Sequence, residues 1–288
     1  MKMTSRTIEF VISPKEDGMR TGEILRLRGF SARRTAKIKR TENGLTVNGA
    51  AVGTGNVLHS GDVLSVYMPE EGKAPRCSPR LMGLAPVRYE DDDVIVFAKP
   101  VNMPVHTSQG HRDDALENLF AAVCPGMAFR PIYRLDKDTS GLVPVAKNSH
   151  AARLLQNNIN KVYFAAAEGI LERDGVIDAP VGREDGSVIR RCVRPDGQYA
   201  RTVYTIIKGN GSHTLVRVVP ETGRTHQIRV HFAHIGHPLA GDDLYGGSRE
   251  RIGFQALHCG EISFVSPVSG KEVVLSENIR DDMAGLFE

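Results

Sequence analysis

Residues 134–141, RLDKDTSG, combine an arginine with two carboxylates and two hydroxyls. In an extended chain residues two apart share a face, so Arg134 and Asp136 are expected to project together. An arginine beside a carboxylate keeps it ionised and fixes its direction. Such a carboxylate can act as a nucleophile or stabilise a cationic sugar. The alternative is a surface turn in which Asp138 and Thr139 satisfy local backbone N–H groups.

A second polar segment, ETGRTHQIRVH at 221–231, overlaps the start of a helix that we predict over residues 225–235. At helical spacing His226 and Arg229 share one face. The start of the helix, with Arg224, is a suitable seat for a phosphate. The chain has histidines at 226, 231, 234 and 237. No carboxylate or thiol follows at zinc-ligand spacing, so these histidines indicate packing or RNA contacts rather than a metal site.

The elements that must position these residues alternate between strand and helix patterns. Tyr163 lies in KVYF, at the start of a predicted strand, where a lone tyrosine is usually a core aromatic. The strands and helices follow no regular βαβ rhythm, which predicts an α+β fold with a mixed, largely antiparallel sheet and flanking helices. The predicted elements are strands at 94–98, 141–146 and 161–170, a helix at 116–123, a helix around Leu154 to Ile159 capped by Ser149, and a hairpin pairing 201–207 with 213–219.

The first part of the chain differs in charge from the rest. Residues 1–80 contain 14 Lys and Arg against 8 Asp and Glu, a net charge of +6, whereas the remainder carries −3. This asymmetry indicates a polyanion-binding module joined to a less basic body. Two short helices divided by Gly29 are predicted, the second capped by Ser31, followed by short strands with an Asn48-Gly49 turn. We predict a small α/β module at 1–70, a Pro- and Gly-rich linker at 71–86 and a main domain at 87–288.

Composition excludes several classes of protein. No run of about 18 uncharged apolar residues is present, so a membrane span is not expected. The N-terminal segment lacks the apolar core of a signal peptide, which predicts a cytoplasmic location. The cysteines are far apart and form no CxxC pair, so free thiols are expected at Cys77, Cys124, Cys192 and Cys259.

Together the motifs resemble the RluA family of pseudouridine synthases. The resemblance extends over about residues 88–276 and rests on the order RLDKDTSG, KVYF, TGRTHQIRVHFAHIGHPLAGDDLYG and LHCGEISFVSPVSG. It implies that Asp136 is the catalytic aspartate, that Tyr163 lies against the target base, and that Arg229 pairs with the aspartate. Arg134 matches the motif arginine that faces the RNA. The family usually has a histidine where this chain has Tyr133.

The N-terminal segment is similar to the small alpha-L RNA-binding module that often precedes such catalytic domains. The likeness rests on the following VNG turn and on basic residues of its second predicted helix, which are Arg33, Arg34, Lys37, Lys39 and Arg40. RNA contacts are therefore expected from Arg33, Arg34, Lys37 and Arg40, together with Arg134, Arg224 and His226. A solvated basic face without RNA contacts is the alternative.

The resemblance implies an isomerase that converts uridines in structured RNA to pseudouridine. The reaction breaks the bond from ribose to the uracil nitrogen and rejoins the base through carbon 5, so neither a cofactor nor a metal is expected. The target nucleotide must leave its helix and enter a pocket, at a cost of a few kcal/mol that phosphate contacts can offset. Ribosomal RNA, in particular that of the large subunit, is the expected substrate, with transfer RNA as the alternative. A monomer is expected.

Two other functions fit part of the pattern. A glycosidase that used Asp136 and Asp138 would fit the sugar-bond chemistry. It does not explain the basic N-terminal segment, and the chain has no tryptophan, which sugar-binding clefts usually contain. A non-catalytic RNA-binding protein on the same scaffold is the other alternative. The presence of Asp136, Tyr163 and Arg229 together favours the enzyme.

Overall fold

Two separate β-sheets and a small hairpin organise the chain in the computed structural model, which describes residues 6–68, 81–156 and 158–288. The first sheet has four antiparallel strands in the order β1-β4-β2-β3. Two helices lie between β1 and β2 in the chain. These elements are β1 (Arg6–Val11), α1 (Thr21–Leu27), α2 (Ala32–Lys39), β2 (Leu45–Val47), β3 (Ala50–Ala51) and β4 (Val63–Met68).

Local sequence explains this first unit. The Ser31 side chain accepts a hydrogen bond from the backbone N–H of Arg34, which confirms the predicted cap of α2. Asn48 and Gly49, both with positive φ, form the tight turn between β2 and β3. Buried apolar residues of both helices and of the sheet form a separate core that includes Ile24, Leu25, Ile38, Leu64 and Val66.

The larger sheet has nine strands and carries the second core. Its order is β5-β6-β7-β14-β8-β13-β12-β9, with β15 added beside β14. Each neighbouring pair is antiparallel except β7 and β14, which are parallel. The strands are β5 (Val87–Glu90), β6 (Val94–Lys99), β7 (Ser140–Ala146), β8 (Ile159–Glu168), β9 (Gly175–Asp178), β12 (Arg201–Gly209), β13 (His213–Pro220), β14 (Leu257–Val265) and β15 (Glu272–Ser276).

Four helices and a two-stranded hairpin flank this sheet. The helices are α3 (Leu116–Val123), α4 (Ser149–Leu155), α5 (Gln227–His234) and α6 (Asp281–Ala284), and the hairpin pairs β10 (Val181–Arg183) with β11 (Arg191–Val193). The fold is therefore α+β with a largely antiparallel sheet, as predicted. No helix in the described ranges is long and apolar enough to span a bilayer.

The predicted helix around Leu154 to Ile159 differs from the structure at both ends. The cap of α4 is Asn148 rather than Ser149, because the Asn148 side chain accepts hydrogen bonds from the N–H groups of the next turn. At the other end Ile159 already belongs to β8, where it pairs with Phe264 of β14. Sheet pairing thus ends the helical segment earlier than the apolar spacing predicts.

Residues 69–80, which include most of the predicted linker at 71–86, are outside the described part of the chain. Leu81 and Ala85 are each only 4% exposed and pack in the core of the larger sheet. The first unit also touches the larger one, since the ring of Phe30 stacks on that of His150 at 4.2 Å between centroids. We therefore propose that the larger domain already includes Leu81 and Ala85, which the sequence analysis assigned to the linker, and that the N-terminal unit rests on α4.

Candidate active site

A cleft of about 720 Å³ lies between the RLDKDTSG segment, β8 and the start of α5. It gathers side chains that are far apart in the chain but that the sequence predicts to act together. Those lining the cleft are Arg134, Asp136, Tyr163, Arg224, His226 and Arg229. Further residues of the same three segments, including Tyr133, Lys161, Thr222 and Thr225, complete its wall.

Asp136 lies in an extended loop directly before the turn that leads into β7. Its carbonyl oxygen accepts the N–H of Thr139 at 3.1 Å, and the Thr139 hydroxyl in turn accepts a hydrogen bond from Gln255 at 2.8 Å. The Asp136 carboxylate is 28% exposed, and its Oδ2 accepts a hydrogen bond from Nη1 of Arg229 at 2.9 Å. The loop thus presents to the cleft a carboxylate whose direction is fixed by a guanidinium.

Lys99, for which the sequence analysis predicted no role, holds the same loop from inside. Its ammonium donates to the carbonyl oxygens of Lys137, Met103 and Pro100 at 2.8–3.0 Å. The residue is 1% exposed, and burial lowers the pKa of Lys99 to about 7 against the opposing charges of Asp138 and Asp136. A lysine that follows a fully apolar strand and precedes a proline was the available signal for this role.

The glycine of the RLDKDTSG segment has a packing reason. Gly141 has φ +117°, and a Cβ at this position would lie 2.2 Å from the carbonyl oxygen of Cys259 on β14. The two residues are paired in the parallel register of β7 and β14. Only glycine allows this approach without a backbone shift, and the approach sets where the RLDKDTSG loop meets the sheet.

Arg229 is held in turn by a second carboxylate. Its Nε and Nη2 donate to the two oxygens of Asp242 at 2.7 Å each, and the Asp242 side chain is fully buried. Burial would lower the pKa of Arg229, but the hydrogen bonds and charges of Asp242 and Asp136 outweigh it and raise the pKa above its ordinary value. The ring of Tyr245 lies against the guanidinium, 5.0 Å from Cζ to the centroid. Asp242 and Tyr245 stand in the quoted GDDLYG stretch, to which the sequence analysis assigned no role.

Tyr163 on β8 forms the opposite wall of the cleft and is 8% exposed. Burial, with the nearby Cys259 thiol and the Asp136 charge, raises the pKa of Tyr163 well above its ordinary value. The phenol is therefore neutral at physiological pH, which favours packing against a base over removal of a proton. The neighbouring Tyr133 turns its hydroxyl inward and donates to the carbonyl oxygen of Leu142 at 2.7 Å.

Three of the residues predicted to contact RNA line the cleft. Arg134 is exposed at the cleft, whereas Arg224 lines it while donating to the carbonyl oxygen of Tyr199 and to the side chain of Gln198. His226 lies deep in the cleft, with Nε2 3.7 Å from Oδ2 of Asp136. The sequence analysis predicted an RNA contact for His226, which stays a prediction, and did not predict its position beside the carboxylate.

The predicted contacts on α2 lie away from this cleft. Lys37 and Arg40 are exposed on the helix, whereas Arg34 directs Nη1 to the hydroxyl of Ser149 on α4. The side chain of Arg33 is outside the described part of the structure. Arg34 therefore contributes to the contact between the two units.

No group of three or more His, Cys, Asp or Glu side chains in the described ranges could hold a metal ion. His231 is buried and hydrogen-bonded to Thr202 and to the carbonyl oxygen of Ala179. In this segment His231 thus serves packing and His226 lines the cleft, whereas His234 is exposed.

A carboxylate paired with an arginine and facing a buried tyrosine, on a largely antiparallel sheet, is the arrangement that the RluA resemblance implies. Comparison with known sequences agrees. The family described as RNA pseudouridylate synthase matches residues 93–234. The uncharacterized RNA pseudouridine synthase YjbO of Bacillus subtilis is 37% identical over 270 residues, which cover 90% of this chain and 95% of that protein.

Two further comparisons extend this result. Ribosomal large subunit pseudouridine synthase D of Pseudomonas aeruginosa is 37% identical over 212 residues, covering 70% of this chain and 66% of that protein. The structure of human RNA Pseudouridylate Synthase Domain Containing 1 matches with a TM-score of 0.57 and 24% identity, covering 73% of this chain and 86% of that one, which supports the fold alone. The chain belongs to the RNA pseudouridine synthase family. It is an isomerase that modifies RNA.

Proposed function

We propose that this enzyme converts a uridine of large-subunit ribosomal RNA to pseudouridine, with Asp136 as the catalytic carboxylate. The observation that carries the chemical part is the cleft in which Asp136, fixed by Arg229, faces Tyr163. An extruded nucleotide that entered this cleft would meet the carboxylate at its sugar or base and the tyrosine ring against its base. The choice of RNA rests on the relatives named as acting on the large ribosomal subunit.

Each proposed residue has a distinct part. The Asp136 carboxylate attacks the nucleoside or stabilises positive charge on the sugar as the glycosidic bond breaks. Arg229 directs it, and Tyr163, a neutral phenol, packs on the uracil. Arg134, exposed at the mouth of the cleft, and Arg224 in its wall offer guanidinium groups to the RNA backbone.

The N-terminal unit is proposed to bind RNA next to the target. Lys37 and Arg40 are exposed on α2, and the unit rests on α4 through Phe30 and Arg34. This contact places the basic helix at a defined position relative to the domain that holds the cleft. Phosphate contacts from such a helix would add affinity without reading sequence.

The catalytic assignment is tested with Asp136→Asn. The hydrogen displaced from carbon 5 is released to water, so tritium release from RNA labelled at carbon 5 of uridine follows the reaction. We expect Asp136→Asn to lower activity by about a thousandfold or more, because the variant loses the reacting group itself. The matched control is Asp138→Asn in the same turn, which we expect to remain active. An active Asp136→Asn enzyme would contradict the assignment.

The substrate is tested by mapping pseudouridine in total RNA from cells with and without the gene. Loss of one site in large-subunit ribosomal RNA, restored by the wild-type gene and not by Asp136→Asn, is the expected result. Loss of a site in transfer RNA alone would overturn the choice of RNA and leave the catalytic assignment intact.

A further inference from the structure

His226 occupies an unusual position at the start of α5. Its backbone has φ 58° and ψ 16°, in the left-handed region, which few residues other than glycine adopt, although Asn, Asp and His are enriched among them. Such a conformation costs about 1–3 kcal/mol and is retained mainly where the surrounding structure or the function requires it. The side chain is 12% exposed and points into the catalytic cleft.

The imidazole is bound on one side by Tyr245. Nδ1 of His226 lies 2.7 Å from the Tyr245 hydroxyl, and that hydroxyl accepts the backbone N–H of Arg191 on β11 at 3.0 Å. A hydroxyl that accepts one N–H can donate its own hydrogen to Nδ1. If Nδ1 carried the proton instead, the hydroxyl would accept from both partners and direct its own hydrogen away from each. The network therefore favours the tautomer with the proton on Nε2.

The other side of the imidazole faces the carboxylate. Nε2 lies 3.7 Å from Oδ2 of Asp136, the oxygen that also accepts from Arg229. This separation is longer than a hydrogen bond, but hydrogen bonds at catalytic sites are often long before substrate binds and shorten in the complex. The structure thus has a chain of contacts from the β11 backbone through Tyr245 and His226 to Asp136.

The pKa of His226 lies below its ordinary value chiefly because the ring is buried. Burial lowers the pKa of His226 and the charge of Arg229 lowers it further, and these outweigh the carboxylates of Asp136 and Asp242, which raise it. The cation of Arg191 acts in the same direction as Arg229. A neutral ring with its proton on Nε2 is a hydrogen-bond donor toward the carboxylate.

We propose that His226 is a positioning residue for the catalytic step, whose Nε2–H, fixed by Tyr245, donates to Asp136 when the target nucleotide is bound. This proposal rests on the proposed role of Asp136. Arg229 and His226 would then both donate to Oδ2, which leaves Oδ1 to face the substrate. The role differs from the RNA contact that the sequence predicts for His226, because a contact to RNA would act on binding and not on the chemical step.

The first test compares His226→Ala and His226→Gln in tritium release. We expect His226→Ala to lower kcat by about 10–100-fold with KM unchanged, because a misplacement of about 1 Å at a reacting group can cost about a hundredfold. Glutamine carries an N–H donor of similar reach and does not titrate, so His226→Gln is expected to retain most of the wild-type kcat. His234→Gln, at an exposed position of the same helix, is the matched control, and thermal melting establishes that each variant is folded.

The second test addresses Tyr245. Tyr245→Phe removes the hydroxyl but keeps the ring against Arg229, so we expect a lower kcat in the wild-type background and no further loss in the H226Q background. Nitrogen NMR of protein labelled in its histidines is expected to show His226 with its proton on Nε2, identified by the signal that disappears in H226Q. Tyr245→Phe should remove this preference.

Three outcomes would overturn the proposal. The first is a His226→Ala enzyme with wild-type kcat. The second is a higher KM of the same variant at unchanged kcat, which would support the RNA contact instead. The third is a His226 ring with its proton on Nδ1. Asp136→Asn separates these from failure of the proposed function. If Asp136→Asn is inactive and His226→Ala is not impaired, only the role of His226 is wrong, whereas an active Asp136→Asn enzyme removes the basis of both.

Discussion

The buried pair of Arg229 and Asp242 offers a sharp test of how Asp136, the proposed catalytic carboxylate, is held. The guanidinium is 7% exposed and the carboxylate fully buried, and two hydrogen bonds of 2.7 Å join them. Asp242→Asn keeps the shape of the side chain but removes its charge. The next residue, Asp243, pairs with Arg249 at 2.8 Å in an ion pair whose side chains are 57% and 51% exposed. Asp243→Asn is therefore a matched control one position away.

The expected magnitudes differ because burial differs. Removing one partner of a buried ion pair costs about 3–5 kcal/mol, since the remaining charge stays buried. Arg229 keeps Asp136 and the ring of Tyr245, and an asparagine oxygen still accepts one hydrogen bond, which places Asp242→Asn at the lower end, about 3 kcal/mol. An exposed pair contributes about 0–1 kcal/mol, which is the expected loss for Asp243→Asn.

The assay is thermal and denaturant unfolding of both variants, together with tritium release. At about 2–4 °C per kcal/mol, the larger domain of Asp242→Asn should melt about 6–12 °C lower, and Asp243→Asn within a few degrees of wild type. Activity of Asp242→Asn should also fall at temperatures where the variant is folded, because Arg229 is no longer held in one plane. Equal stability of the two variants would refute the reasoning.

Two further predictions concern Lys99 and helix α2 of the N-terminal unit. Because the pKa of Lys99 is about 7 when folded and about 10.4 when unfolded, the unfolded chain binds the extra proton between these values. As the pH rises through this window, the free energy of unfolding of wild type should therefore increase relative to that of Lys99→Met by about 1.4 kcal/mol per pH unit. A difference between the two proteins that does not change with pH would contradict the shift. The double variant K37A/R40A should bind substrate RNA more weakly, with a salt dependence (log K against log salt) shallower by about 2, whereas an unchanged slope would argue against phosphate contacts from α2.

Much of the fold follows from local pattern. Apolar runs predicted most strands of the larger sheet, and the predicted hairpin of 201–207 with 213–219 corresponds to the pairing of β12 with β13. The parallel pairing of β7 with β14 could not be predicted, because it joins residues more than a hundred positions apart and depends on the close approach at Gly141. The hairpin of β10 and β11 was also missed, since its strands are three residues each and only partly apolar.

The site shows the same division between motif and geometry. Residue types and the family resemblance selected Asp136, Tyr163 and Arg229, which meet in one cleft. The supporting residues Lys99 and Asp242 were not selected, because their roles come from burial and from partners distant in the chain. A lysine at a strand end and an aspartate in a polar loop are usually solvated, and only the packed structure shows that both are enclosed.

The buried carboxylate of Asp242 changes the charge balance around Asp136. Arg229 directs Asp136, but a lone guanidinium against a lone carboxylate would also cancel the negative charge that the proposed reaction uses. Asp242 takes two of the guanidinium hydrogen bonds from the buried side, so two carboxylates share one cation. With a neutral His226, the group formed by Asp136, Asp242 and Arg229 carries a net charge of −1. Asp136 is the carboxylate of this group that is exposed to the cleft. In the proposed reaction this arrangement would hold the carboxylate in place and keep its negative charge available to the nucleotide, whether it attacks the nucleoside or stabilises positive charge on the sugar.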